Sequence, residues 1–166
     1  MRKTGRDVMT SSRLRFSYWS DPLCVWAFVA EPRLQALLTE YGDVVDIEYR
    51  VVPVFGSVPW RFAHGSWAAK GPSGRRDATR DIARRFGHDD VTGDVWVQDP
   101  PASSWAPCMA IKAAFALVEE AIVSRDAAVC FQRRLRERFF LQNVNIARLP
   151  AQMEVAAECA LPEAAL

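Results

Sequence analysis

Tyr18-Trp19-Ser20-Asp21-Pro22-Leu23-Cys24-Val25-Trp26-Ala27 is the stretch of this chain whose residue types are best suited to chemistry. Asp21-Pro22 breaks an alternating segment, and Cys24 stands where a helical period begins. A cysteine that opens a helix meets unpaired backbone N–H groups and the positive end of the helix dipole. Both favour a negative sulfur. Cysteines so placed have lowered pKa values, and the thiolate is the nucleophile in disulfide exchange. Local position leaves a second reading open, in which Cys24 is a small buried hydrophobe. Trp19 and Trp26 flank the thiol, either as core aromatics or as an apolar rim that grips peptide or aromatic substrates. Asp21 could move the thiol's pKa in either direction, depending on its distance.

The other reactive residue types are scattered. Cys108, Cys130 and Cys159 form no C-x-x-C pair with one another or with Cys24, and the only histidines are His64 and His88. A structural zinc site is therefore not expected. Cys108 falls in the first turn of an apolar helix and reads as a packing residue or as a remote resolving thiol. Cys130 and Cys159 read as packing residues, and His64 and His88 as surface residues. Ser103 and Ser104 precede a helix and suit its cap. Residues 75–86 hold five arginines, Arg75, Arg76, Arg80, Arg84 and Arg85, beside a thin apolar edge. A short solvated helix explains them better than a phosphate patch, because the chain's net charge is only +1. Trp60, Trp67, Trp96 and Trp105 fall in or beside Gly/Pro-rich loops and would form an apolar groove if exposed together.

The elements that must position these residues follow from periodicity. Leu14, Phe16 and Tyr18 alternate with Arg13, Arg15 and Ser17, which predicts a strand from Arg13 to Trp19. From Cys24 onward, Trp26, Ala30, Leu34, Leu37, Leu38 and Tyr41 make one helical stripe ending at Gly42, with a kink expected at Pro32. A second strand spans Val45 to Val51, so strand, helix and strand form a βαβ unit with parallel strands and a right-handed crossover. Residues 56–74 read as a long loop. Further helices are expected over 105–123, from about Asp126 to Leu141 with Phe131, Leu135 and Phe139 buried, and from about Pro150 to Cys159. In the second of these, Arg133, Arg134, Arg136 and Arg138 should lie mostly off the buried face.

Composition bounds the possibilities. The chain has 166 residues, half of them hydrophobic and a quarter charged, as in an ordinary globular domain. Disordered tails, collagen-like fibres and coiled-coil rods are excluded. Near-neutral charge gives no general attraction to nucleic acid or to an anionic membrane. Residues 1–14 carry no apolar core of a signal peptide, and no run approaches the ~18 apolar residues of a membrane span. A reducing cytoplasm with free thiols is the expected location.

The Asp21-Pro22-x-Cys24-x-Trp26 turn, Glu31-Pro32 in the following helix and the Val45–Val51 strand resemble the DsbA-like branch of the thioredoxin fold. The resemblance continues through Asp99-Pro100-Pro101, Ser103-Ser104, an alanine-rich helix and an Arg-Arg-Leu-Arg-Glu-Arg helix that ends in Phe139-Phe140. Asn145-Ile146-Ala147-Arg148 then resembles the turn into the next helix of that branch. The match covers residues 13 to about 161. It implies an α/β fold with a thioredoxin-like βαβ half over 13–55 and a loop and helical insertion over 56–149. A returning helix follows over 150–166, and residues 1–12 read as a flexible leader. The family's C-terminal β-hairpin, cis-proline loop and last helix are expected to be lacking here, either because the sequence is a fragment of a longer protein or because the molecule completes its sheet another way. A sheet of two strands would leave open edges, so a homodimer is expected.

The resemblance assigns the attacking thiol to Cys24. The family motif is Cys-Pro-x-Cys, whereas this chain reads Cys24-Val25-Trp26-Ala27. Alanine cannot close an intramolecular disulfide. The expected activity is therefore thiol-disulfide exchange or isomerisation through mixed disulfides on one cysteine, with a protein or small-molecule disulfide or thiol as substrate. Trp26, Trp19, Asp21, Pro22, Ser103 and Ser104 are the candidate substrate-binding residues, and Cys108 is the candidate resolving thiol. No cofactor or metal is required. The related kappa-class glutathione transferases and 2-hydroxychromene-2-carboxylate isomerases make glutathione a candidate co-substrate. Two alternatives stand beside this reading: a glutathione-dependent isomerase or transferase, and a degenerate, non-catalytic thioredoxin-like binding module.

Overall fold

In the computed structural model, the described residues are 13–162. The expected leader, residues 1–12, lies outside them. Strand β1 (Leu14–Ser20) and strand β2 (Val45–Val51) pair in parallel, Leu14 opposite Val45 through to Ser20 opposite Val51. Helix α1 (Val25–Tyr41) crosses between them and completes the expected βαβ unit. Pro32 sits inside α1, which runs on as one helix. Proline supplies no N–H for the carbonyl one turn before it, a loss that an exposed helix face tolerates because water can replace the donor.

The apolar stripe of α1 is buried only at its start. Val25, Ala27, Phe28 and Val29 enter the core. Leu37 and Tyr41 remain partly exposed, as do Leu14 and Phe16 on β1. The first turns of α1 pack against helices that follow, and its second half runs beyond them.

The span 56–74, expected as a loop, is instead largely helical. Helix α2 (Val58–Ala63) starts at Ser57, whose side chain accepts from the Trp60 N–H, and Pro59 fits its first turn. A single 3₁₀ turn, Gly65–Trp67, leads to helix α3 (Gly71–Arg85). Glycine and proline here punctuate short helices rather than remove structure. α3 is also less solvated than expected, since Thr79 and Ala83 are buried. Helix α4 (Val95–Gln98) places Trp96, fully buried, among Phe55, Trp67 and Phe139. Gly93 precedes it with φ +76°, where a Cβ would stand 2.8 Å from the Arg76 carbonyl oxygen. Only glycine allows α3 and α4 to approach so closely.

Helices α5 (Trp105–Glu119), α6 (Arg125–Leu141) and α7 (Leu149–Glu158) close the structure, with α6 packed against both α5 and α7. Phe131, Leu135, Phe139 and Phe140 of α6 meet Ile111 of α5, Ile146 and Val155 in one core. α5 lies against β2, where Phe115 stacks on Tyr49 at 5.7 Å. Most of the core thus sits among the helices, and the sheet borders it. One arginine of α6 departs from expectation: Arg136 is only 1% exposed. It donates to Glu31 of α1 at 3.1 Å and to the Ser20 hydroxyl at the end of β1. Those partners let a guanidinium enter the core.

Candidate functional site

Cys24 is the N-cap of α1, with extended backbone angles and no hydrogen bond from its side chain to the helix. Its N–H donates to the Asp21 carbonyl and its own carbonyl receives the Phe28 N–H, both at 3.1 Å. The N–H groups of the first turn therefore have no intrahelical partner, and the half-buried thiol is uncommitted beside them.

Asp21 fixes this turn. It is 1% exposed. One carboxylate oxygen accepts from Leu23 N–H at 2.7 Å. The other accepts from Val54 N–H at 2.7 Å, Phe55 N–H at 3.4 Å and the Ser104 hydroxyl at 2.6 Å. One side chain thus joins the β1–α1 turn, the segment after β2 and the start of α5. Burial raises its pKa, and the four hydrogen bonds oppose that rise. Ser104 is fully buried, and its hydroxyl also accepts from Phe55 N–H at 3.2 Å. Its side chain makes no cap bond to α5. The hydroxyl is committed to the carboxylate, which is the stronger partner because it is charged. Ser103 is half-buried and accepts from Trp105 N–H at 3.3 Å.

Arg75, in the basic run expected to be solvated, is instead largely covered by aromatic rings, and its charge is felt as far as Cys24. Its guanidinium lies over the rings of Trp67 (4.6 Å), Trp96 (5.0 Å) and Phe55 (5.4 Å). Burial lowers its pKa to about 10, while the proximity of Cys24 and, more weakly, Asp21 acts the other way. Among the described residues no carboxylate lies within salt-bridge reach of Arg75, and its buried Nε has no partner. Arg61 lies over the same Phe55 and Trp67 rings and adds positive charge. Tyr18, whose pKa burial raises, also senses the charge of Cys24. The arrangement is a helix-opening thiol within the electrostatic reach of a guanidinium that lies on an aromatic bed and, among the described residues, has no carboxylate partner. It can hold an anion at or near sulfur. Periodicity alone gives Arg75 no distinction from its four neighbours, because the rings that receive it come from distant segments.

A family model described as thioredoxin matches residues 18–163, nearly the whole chain. The chain belongs to the thioredoxin family. Its architecture is of the DsbA-like kind, a βαβ start followed by helices. A ClpXP adapter protein, SpxH, from Halalkalibacterium halodurans is 38% identical over 133 residues, which are 77% of this chain and 39% of the adapter. The cytosolic disulfide reductase DsbM from Pseudomonas aeruginosa superposes with a TM-score of 0.63 at 22% identity, over 89% of this chain and 65% of that one. The same reductase with GSH superposes at 0.61, over 89% and 66%. The chain therefore spans well under half of the adapter and slightly under two thirds of the reductase.

On this thioredoxin scaffold the expected site residues divide. Trp26, 54% exposed, stands two residues after Cys24 and meets Phe86 edge-on at 5.8 Å. Trp19 is exposed but lines a separate groove with Arg50, Lys112 and Phe115. Asp21, Pro22 and Ser104 are buried, so they shape the turn from within and offer no surface to a ligand. Cys108 is buried, and desolvation, with the Asp21 charge, pushes its pKa up to about 12. A thiol so held is a poor resolving nucleophile. His64 stacks on Trp60 and His88 packs on Phe28, one turn into α1, and neither makes a hydrogen bond to Cys24. Among the described residues no three metal-ligating side chains gather, and no helix is long and apolar enough to cross a membrane.

Proposed function

We propose that this chain carries out thiol-disulfide exchange on a single cysteine. Cys24 thiolate attacks a substrate disulfide R–S–S–R, forms the mixed disulfide Cys24–S–S–R and releases RS⁻. A second thiolate, from glutathione or a protein, attacks the R sulfur and expels Cys24 thiolate. Ala27 leaves no internal thiol in the motif to perform that second step, and Cys108 is not poised for it. The observation that carries the reading is Cys24 at the N-cap of α1 with its half-buried thiol uncommitted, and the Arg75 cation near enough to act on its charge adds support. The cytosolic reductase solved with GSH supports glutathione as the outside thiol and a cytoplasmic setting. Exposed apolar residues on β1 and the second half of α1 support association as a homodimer.

The experiment is incubation with oxidised glutathione followed by intact-mass and peptide analysis. One glutathionyl group on Cys24, released by excess reduced glutathione and absent from Cys24→Ser, is the expected result. A Cys24 that stays unmodified in the folded protein while a model peptide thiol reacts would overturn the proposal. That outcome would favour a second reading, a binding module without redox chemistry. The match to the ClpXP adapter and the exposed Trp26, Trp60 and Trp105 lend weight to that alternative.

A further inference from the structure

Cys130 and Cys159 lie 29 residues apart, one within α6 and one capping the C-terminal end of α7, and their Sγ atoms face each other at 2.6 Å. Unbonded sulfur atoms do not normally pack so closely. We propose that these two cysteines form a reversible dithiol–disulfide pair, a second redox centre of this chain that works without Cys24.

Three observations support the assignment. The first is that Cys159 is held in place. The Cys159 N–H donates to the Val155 and Ala156 carbonyls at 3.1 Å each. α7 is tied down by Gln152 to the Ile146 carbonyl at 2.8 Å and by Arg148 to Asp99 at 2.7 Å. Closure of the bond then needs little rearrangement. The second is an asymmetry of access. Cys159 is 6% exposed, whereas Cys130 lines an open groove of about 470 Å³ with Ile47, Arg125 and Arg133. A reagent can reach Cys130 but not Cys159. The third is that burial and the Cys130 contact raise the Cys159 pKa, which agrees with a first attack by the more accessible Cys130.

The oxidant is a low-molecular-weight disulfide such as oxidised glutathione. Cys130 thiolate attacks one of its sulfurs, forming Cys130–S–S–R and releasing RS⁻. Cys159 loses its proton and attacks the Cys130 sulfur, which forms the intramolecular disulfide and expels a second RS⁻. Two cysteine thiols are oxidised, one small disulfide is reduced to two thiols, and the two protons leave with the products. The groove is lined by Arg13, Arg125 and Arg133 against Asp46 and Asp126, and Arg125 is paired with Asp46, so only a small excess of positive charge faces an entering anionic disulfide.

The test uses the full chain carrying Cys24→Ser, so that no exchange at Cys24 contributes. The protein is equilibrated with oxidised glutathione, acid-quenched, alkylated and digested. A cross-linked peptide joining Cys130 to Cys159 is expected, reopened by excess reduced glutathione. The oxidised form should melt about 10 °C above the reduced form, because the bond closes a loop of about 30 residues. Alkylation of both cysteines after equilibration, or a separate glutathionyl group on each, would overturn the proposal. Either result leaves the reading of Cys24 untouched, and an unreactive Cys24 leaves this one untouched.

Discussion

Replacing Asp21 with alanine should loosen three segments at once. The variant removes the acceptor for Leu23 N–H, Val54 N–H and the Ser104 hydroxyl, each bonded at 2.7 Å or less, and for the weaker Phe55 N–H bond at 3.4 Å. A buried donor left without a partner costs about 1–3 kcal/mol. The Ser104 hydroxyl can rotate, Phe55 N–H keeps its bond to Ser104, and Val54 N–H is only partly buried, so Leu23 N–H carries most of the loss. Removal of a desolvated charge returns part of it. The net expectation is about 1–3 kcal/mol, which in a domain of this size lowers Tm by roughly 2–12 °C. Circular dichroism melts and urea titrations at pH 7 measure it, with an unchanged m-value as the check that the same transition is compared. The sign of the pH dependence follows from the raised pKa of Asp21. The folded state keeps this proton to higher pH than the unfolded chain does. The stability from that proton is complete below the ordinary carboxylate pKa and is lost as pH rises through the folded value. The gap between wild type and Asp21→Ala should therefore be widest in acid and narrow toward neutrality. A Tm drop under about 2 °C, or a gap that widens with pH, would refute this account of the turn.

Arg75→Ala should slow alkylation of Cys24 at pH 7 by about threefold or more, since a partly desolvated charge near sulfur is lost; Arg75→Lys should restore part of the rate. An unchanged rate in a folded variant would remove Arg75 from the site. Arg136→Ala should cost about 3 kcal/mol, the low end for breaking a buried pair because Glu31 keeps some water contact, and urea unfolding reads the difference. Sedimentation at micromolar concentration should show a dimer that Leu14→Lys with Phe16→Lys converts to monomer, whereas a wild-type monomer would remove that expectation.

Elements with a strong period were legible in the sequence. β2 spans Val45–Val51 as the alternation requires, and α5, α6 and α7 begin within one residue of expectation. Residues 56–74 were not legible, because their helices are too short to show a repeat and their glycines and prolines also suit loops. The apolar stripe of α1 suggested a buried length, but burial depends on how far neighbouring helices reach, and they cover only its first turns. The thiol itself could be read from its place between a strand and a helix. Its surroundings could not. Its place in the turn offers Asp21 as a substrate-facing residue, whereas its bonds run to Val54 and Ser104, 33 and 83 positions away. Arg136 and Arg75 looked solvated for a similar reason: Glu31, Ser20 and the three rings that receive them come from other elements.

The burial of Arg75 bears most directly on whether Cys24 is a working thiol or a packing residue. Taking a guanidinium from water costs free energy, and that cost is visible in its lowered pKa. Cation–π contact with Trp67, Trp96 and Phe55 recovers roughly 0.5–2 kcal/mol per favourable ring, less when rings share one cation. Arg61, a second cation over two of the same rings, takes some of that back. Among the described residues no carboxylate within salt-bridge reach completes the balance, although Asp21 is near enough to be felt. A packing cysteine would leave this positive charge without an anion. A thiolate at Cys24, or the carboxylates of a glutathionyl group bound there, would supply one. A counter-charge near Cys24 is what the proposed single-cysteine exchange would use, and it favours that proposal over the binding module. The same logic predicts that a neutral alkyl disulfide should react more slowly with Cys24 than an anionic one of equal leaving-group pKa. Arg75→Ala should erase that preference while leaving the neutral reagent's rate less affected. Equal rates for the two reagents in wild type would return Cys24 to the packing reading.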